Sequence, residues 1–331
     1  MSGTDLEALK QAEAERKSKQ DYKSHNKVLL KEIEDLNNAL SYFQQAKTII
    51  PKPIKPTFRT GKGEATALTL FSDVHCEEKI TKASTNGLNE FTPDICKVRV
   101  NNYFVNLLKL VNNHRNVVNI DNLVIGIIGD NIHGLIHDEY ISTNYLRPIE
   151  ATLFIQEQIE AGLTYLLENG KFKRIVAVCK VGNHSRTTDK VFGQTELIHS
   201  YEYFLYKYLE KKFAGQIEFM IEENYFTYFD VYDYTISFEH GHAFRYAGGI
   251  GGIYPALMRH LSKSYSVKRF DLACMGHWHS TIHIPNALIN GCVCGYNDYA
   301  RRKGFSFEPP KQQFLLINKE KGFTTNEPIF L

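Results

Sequence analysis

No two of the six cysteines stand in a C-x-x-C pair, so the 331-residue chain carries no short-spaced thiol framework. Cys76, Cys96, Cys179, Cys274, Cys292 and Cys294 are read as reduced, intracellular thiols. Cys292-x-Cys294 is read as alternate-position packing on a strand. Charge of one sign is also missing. Lys and Arg number 39 against 37 Asp and Glu, a formal net charge of +2, so no global basic field announces nucleic acid. No apolar run approaches the ~18 residues that span a membrane. The first twenty residues are charged and hold no apolar core of a secretory signal. A cytoplasmic protein with no membrane contact is expected. Internal repeats and low-complexity tracts are absent.

What is present is ordinary globular material, 43% hydrophobic and 23% charged, enough for a sizeable core. Residues 4–50 contain neither proline nor glycine and are rich in Lys, Glu, Ala, Leu and Gln, which predicts a helix. Leu29, Ile33, Leu36, Leu40 and Phe43 alternate spacings of four and three, a short heptad seam. The same segment has eight basic residues against eight acids, so it is no basic arm. Its seam predicts self-association through residues 20–48. "PKPIKP" (51–56) then reads as an extended linker.

From about Ala65 the texture changes to short apolar runs that end in polar residues: "ATALTLFSDVH", "NLVIGIIGDNIH", "RIVAVCKVGNHS", "YTISFEHGH", "FDLACMGHWHS", "ALINGCVCGY" and "QQFLLINKE". Such runs predict buried strands. Helical stretches between them, such as "RPIEATLFIQEQIEAGLTYLLENG", predict an α/β layered domain. Five of the strands end in metal-capable side chains. They are Asp73-x-His75, Gly129-Asp130 with His133 behind it, Gly182-Asn183-His184, His240-Gly241-His242 and Gly276-His277-Trp278-His279. Taken singly, each is a common turn or a stray histidine. Taken together they predict one site, because open α/β sheets collect ligands at the C-terminal ends of their strands.

The order D-x-H, G-D, G-N-H, H, G-H-x-H resembles the calcineurin-like metallophosphoesterase superfamily over residues 65–331. "NGLNEF" (86–91) and "NGCVCGYNDYA" (290–300) resemble a phage and prophage branch related to DNA repair exonucleases. The resemblance implies two mixed β-sheets packed face to face and flanked by helices, preceded here by the N-terminal helical segment. In domain terms this means a helix or coiled coil over 1–50, a proline-rich linker over 51–64 and a catalytic domain over 65–331. It also implies two divalent ions, Mn²⁺ first, with Fe or Zn²⁺ as alternatives. Asp73, His75 and His279 would hold one ion, Asn183, His240 and His277 the other, and Asp130 would bridge them. His184 would sit near the phosphate as charge stabiliser or proton donor. The implied reaction is phosphodiester hydrolysis by a metal-bridging hydroxide.

The match departs in places. Ser185 and Arg186 follow Gly-Asn-His where the superfamily places an acid; Asp189 could substitute from the same loop. "GDNIHG" lacks the Asp-Arg-Gly turn of protein phosphatases. His133 resembles a catalytic histidine of double-strand-break repair exonucleases, or is a loop histidine. Either His240 or His242 could be the ligand. For substrate, acid-free stretches hold Lys171, Lys173, Arg174, Lys180 and Arg186, then Arg245, Arg259, Lys263, Lys268 and Arg269, and "ARRKG" adds Arg301. They are read either as solvated helix faces or as a local field for a large anion. Arg186, Arg245 and Arg301 are the candidate substrate contacts, and Tyr246, Tyr254, Tyr265, Tyr296 and Tyr299 could stack on bases. The expected activity is a nuclease acting on DNA or RNA. The alternatives are a small-nucleotide phosphodiesterase and a non-catalytic scaffold of the same fold.

Overall fold

A computed structural model describes residues 3–48, 62–245 and 251–331. The chain forms two compact units, Met1–Thr60 and Gly61–Leu331. The first is helix α1 (Gly3–Thr48). Its seam residues Leu29, Ile33, Leu36 and Leu40 are all exposed. The expected linker falls largely on residues 49–61, which lie outside the described residues, as does Tyr246.

In the second unit, two mixed β-sheets face each other, with helices on both outer surfaces. The six-stranded sheet runs β11 (Gly322–Phe330), β10 (Lys311–Asn318), β1 (Gly63–Phe71), β2 (Val118–Ile127), β3 (Arg174–Cys179), β4 (Glu218–Ile221). Strands β1 to β4 are parallel, and β10 and β11 run antiparallel on the other side. The five-stranded sheet runs β5 (Thr227–Val231), β6 (Tyr234–Phe238), β7 (Leu272–Met275), β9 (Ala287–Ile289), β8 (Ile282–Ile284). Its three inner strands are parallel and its two edges antiparallel.

Both faces of each sheet are covered, which is why the sequence shows continuous apolar runs rather than alternation. In β1, Ala67 and Phe71 point to helices α2 (Pro93–His114), α4 (Pro148–Asn169) and α5 (Tyr201–Lys212), while Leu68 and Leu70 point to the other sheet. In β7, Leu272 and Cys274 face the first sheet, and Ala273 and Met275 face helix α6 (Tyr254–Val267). The sheets approach closely at Gly126 of β2, where a Cβ would lie 3.0 Å from Phe238 Cδ1 of β6. Two short helices complete the fold, α3 (Tyr140–Thr143) after β2 and α7 (Asp298–Lys303) before β10. Among the described residues, no helix is long and apolar enough to cross a membrane.

Candidate metal centre

The seven expected ligands all sit just past strand C-termini. Asp73 and His75 follow β1, Asp130 follows β2, Asn183 follows β3, His240 follows β6, and His277 and His279 follow β7. Parallel neighbours bring these ends to one edge of each sheet. The backbone there is unusual. Among the described residues, eight non-glycine residues have left-handed φ, and five of them are Asp73, His75, Asp130, His277 and His279, at 46° to 70°. Such conformations cost about 1–3 kcal/mol each and persist where the surrounding structure imposes them, most often at functional sites.

The side chains form two groups. Ligand atoms of Asp73, His75 and His279 lie within 4.8 Å of one another, and so do those of Asp130, His240 and His277. His277 and His279 therefore belong to different groups, although only one residue separates them. Asp130 Oδ2 lies 3.0 Å from His240 Nε2 in its own group and 3.9 Å from His75 Nε2 in the other. In the first group, His75 Nε2 and His279 Nε2 face each other at 3.1 Å, with Asp73 Oδ1 3.5 Å from His279 Nε2. In the loop after β3, Asn183 Oδ1 is buried without a hydrogen-bond partner.

The glycines of the motifs make room for the carboxylates. A Cβ on Gly182 would lie 2.0 Å from Asp130 Oδ1, and one on Gly276 would lie 2.5 Å from Asp73 Oδ2. The carboxylates are then pinned by backbone donors. Asp73 Oδ1 accepts from His277 N and Asp130 Oδ1 from His184 N, each at 2.8 Å. Asp73 also receives the Ser72 hydroxyl, itself bonded by Asn290 Nδ2 at 2.9 Å.

Burial dominates the electrostatics. It lifts Asp73 to about 6, with His279 and His240 pulling the other way. Burial would raise Asp130 too, but His240 and His184 hold it well below the carboxylate range. His75 is kept neutral by burial and by His184, and His277 by burial and His240. Burial opposes protonation of His240, yet Asp130 beside it holds the ring up to about 10. Carboxylates, imidazoles and an amide oxygen thus converge with more lone pairs than protons to fill them.

A second layer fixes these rings. His240 Nδ1 donates to the Ile128 carbonyl at 2.8 Å, which makes Nε2 the nitrogen that faces Asp130. His75 Nδ1 lies 3.0 Å from His133 Nδ1, so His133 acts on His75 directly. The His133 backbone is in turn held by Glu77, whose carboxylate accepts from His133 N and Gly134 N, each at 2.8 Å. His184 Nδ1 donates to the His133 carbonyl at 2.9 Å. Ser185, which stands where the superfamily places an acid, hydrogen-bonds Glu202 at 2.8 Å. Glu202 also accepts from Asn131 N at 2.6 Å and Gly182 N at 2.7 Å, joining the loop after β2 to the loop after β3. A carboxylate from α5 is thus bound to Ser185, while His184 itself bonds Asp130 and the His133 carbonyl. Asp189 does not supply the superfamily's acid: its backbone oxygen accepts from Arg186.

Glu202, Glu77 and Tyr140 were not found from sequence. The Tyr140 ring packs on that of His133, centroids 4.0 Å apart and tilted by 40°. The D-x-H-x-E alternation of Asp73, His75 and Glu77 was a usable signal for Glu77; for Tyr140 there was none.

Several expectations need correction. Cys292 and Cys294 are not on a strand, since β9 ends at Ile289; they lie in the following loop beside His279. His242 leaves the ligand set, because its Nε2 pairs with Glu196 Oε1 at 2.9 Å. The Arg186 guanidinium is spent on the carbonyls of Asn183, Thr188 and Asp189. Arg301 is tied to Asn86 and Asp298. Arg245 is exposed. In the first acid-free stretch Lys171, Lys173 and Arg174 are exposed, and the last two are paired with acids. Lys173 pairs with Asp121, Arg174 pairs with Glu218, and Lys180 is buried against the carbonyls of Glu222 and Asn224. Opposite charges came from elsewhere in the fold, which a count along the chain misses.

The residues fit a pair of divalent cations. The donors are oxygen and imidazole, the Asn183 oxygen has no other partner, and two imidazole Nε2 atoms meet at 3.1 Å with only a cation or a proton to reconcile them. No protein-family profile and no curated protein matches the chain. Solved structures do resemble it. An archaeal phosphodiesterase matches at 12% identity over 80% of this chain and 99% of its own, with a TM-score of 0.35. A hypothetical protein from Pyrococcus horikoshii matches at 10% over 80% and 88%, TM-score 0.35. A Vps29 single mutant from Entamoeba histolytica matches at 11% over 80% and 99%, TM-score 0.30.

Proposed function

We propose that this chain is a phosphoesterase dependent on two divalent cations, Mn²⁺ foremost, that hydrolyses phosphodiester bonds in DNA or RNA. The observation that supports this reading is the gathering of six carboxylate and imidazole donors in two groups, together with an Asn183 Oδ1 that is buried without a hydrogen-bond partner in the loop after β3. Asp73, His75 and His279 would hold one ion, Asn183, His240 and His277 the other, with Asp130 shared. Two such ions supply Lewis acidity at the phosphate and an activated water for in-line attack.

The chain's own groups do the rest. Asp130 Oδ2 faces both groups and keeps them in register. His133 and the Ile128 carbonyl set the tautomers of His75 and His240. His184, with Nδ1 committed to the His133 carbonyl, has Nε2 left to exchange a proton with substrate. His133 is thereby a positioning residue.

A small nucleotide is the second reading, favoured by the ion pairs that consume Lys173 and Arg174. Turnover of single-stranded DNA, RNA and a panel of cyclic and dinucleoside phosphates with Mn²⁺ decides between them. Hydrolysis of polymers at rates above the panel supports the nuclease; hydrolysis of the panel alone replaces it. Cation uptake without turnover of any of these leaves the scaffold reading.

A further inference from the structure

Cys292 and Cys294 occupy a place that the expected site does not use. Their sulfurs and a ring nitrogen of His279 lie within 4.8 Å of one another. Both thiols are buried. The loop that carries them is clamped: Val293 N donates to the Asp73 carbonyl at 3.0 Å, and Arg99 Nη1 donates to the carbonyls of Val293 and Cys294 at 2.8 and 2.7 Å. Asn89 Nδ2 adds a bond to the Cys294 carbonyl at 2.9 Å. A preorganised loop holding two thiols and an imidazole is built as a metal site needs to be built. Glu78, tied through Oε1 to Asn297 at 2.9 Å, keeps Oε2 buried without a hydrogen bond, 3.9 Å from His133 Nδ1. A small surface recess is lined by His279, Cys292 and Tyr296.

We infer that His279, Cys292 and Cys294 form a third cation site, selective for a thiophilic divalent ion such as Zn²⁺. Donor softness separates it from the two oxygen-and-imidazole groups: thiolates favour Zn²⁺ over Mn²⁺ by far more than carboxylates do. Both thiols lose their protons on binding, and the two protons go to solvent. Three protein ligands leave a fourth position, open to water from the recess or to Glu78. His279 belongs to this site and to the group of Asp73 and His75. Thiophilic-ion occupancy therefore draws on a ligand of the proposed catalytic centre and lowers its activity without displacing its ions. That regulatory consequence rests on the phosphodiesterase reading; the binding does not.

The test is a Co²⁺ titration of the full, reduced chain followed by absorption. A third equivalent should bind with a thiolate-to-cobalt charge-transfer band in the near ultraviolet. One equivalent of Zn²⁺ should abolish that band while the visible bands of the other two ions remain. Cys292→Ser and Cys294→Ser should each remove it. X-ray absorption at the zinc edge of the wild-type chain, which needs no variant, should show sulfur in the first coordination sphere. Uptake of two equivalents with no charge-transfer band and no sulfur scattering overturns this inference alone. A thiolate-bound ion with no uptake elsewhere overturns the two-cation reading instead.

Discussion

His184 and Asp130 share one hydrogen bond, yet their losses should differ. Asp130→Ala removes the carboxylate that faces both groups, so it should abolish cation uptake and turnover together. His184→Ala removes a proton-exchanging ring outside either group and should retain both ions while turnover falls about 10²–10⁴-fold. Elemental analysis beside the rate assay separates the two. Wild-type activity in His184→Ala would remove this histidine from the chemistry. Glu202 offers a different reading, because burial lifts it to about 7 against the pull of its backbone donors. A carboxyl whose pKa is higher in the folded than in the unfolded state binds its proton more tightly when folded. Its ionisation therefore costs stability progressively as pH rises from about 4.5 to about 7, and fully above that. Glu202→Gln turns an amide NH₂ toward N–H donors and should cost about 1–3 kcal/mol. The gap between wild type and variant should narrow from pH 5 to pH 8 in urea melts. A gap that stayed constant over that range would mean Glu202 is ionised throughout.

The elements that sequence made legible were those buried on both faces. The apolar runs ending at Asp73, Asp130, Asn183, His240 and His277 are strands β1, β2, β3, β6 and β7, because double-sided burial leaves an unmistakable pattern. Strands β4, β5, β8 and β11 were not read. They are edge or short strands with half-exposed residues, such as Glu218–Ile221, and carry little hydrophobic signal. Helix α1 was legible by composition, and what its seam meets is still to be measured. In the heptad frame of Leu29, Ile33, Leu36 and Leu40, Asn26 and Tyr22 continue the seam toward the N-terminus. A core asparagine favours a parallel pair in one register. Light scattering of the full chain should therefore give a dimer, and Ile33→Lys with Leu36→Lys a monomer. A monomeric wild-type chain ends the self-association claim.

At the scale of the molecule, the site is closed only when both sheets are in place, since Asp73, Asp130 and Asn183 come from one and His240, His277 and His279 from the other. Cations should therefore tie the sheets together. At a concentration 100-fold above the dissociation constant, each such ion would add about 2.7 kcal/mol to stability. Two Mn²⁺ per chain should raise the melting temperature of Gly61–Leu331, and a chelator should reverse the rise. Full folding with a stoichiometry near zero and no thermal shift would sink the two-cation reading. The proposed ligand set was visible in sequence because each of its residues follows the end of a strand. The second layer was not, because Glu202 and Arg99 act from helices remote in the chain, and their partners are backbone groups that no motif records.

The left-handed backbone at Asp73, His75, Asp130, His277 and His279 also limits which residues these positions can accept. Asp, Asn and His enter that conformation several times more readily than other side-chain-bearing residues. The three are also neighbours in the genetic code, differing only in the first base of the codon. A single nucleotide change can therefore exchange carboxylate, amide and imidazole at any of these five positions with little backbone penalty, whereas a Glu or Cys there would carry a conformational cost of about 1–2 kcal/mol. Cation preference at this centre is thus open to drift by point mutation within a three-letter alphabet, and closed to thiolate except where Cys292 and Cys294 already supply it.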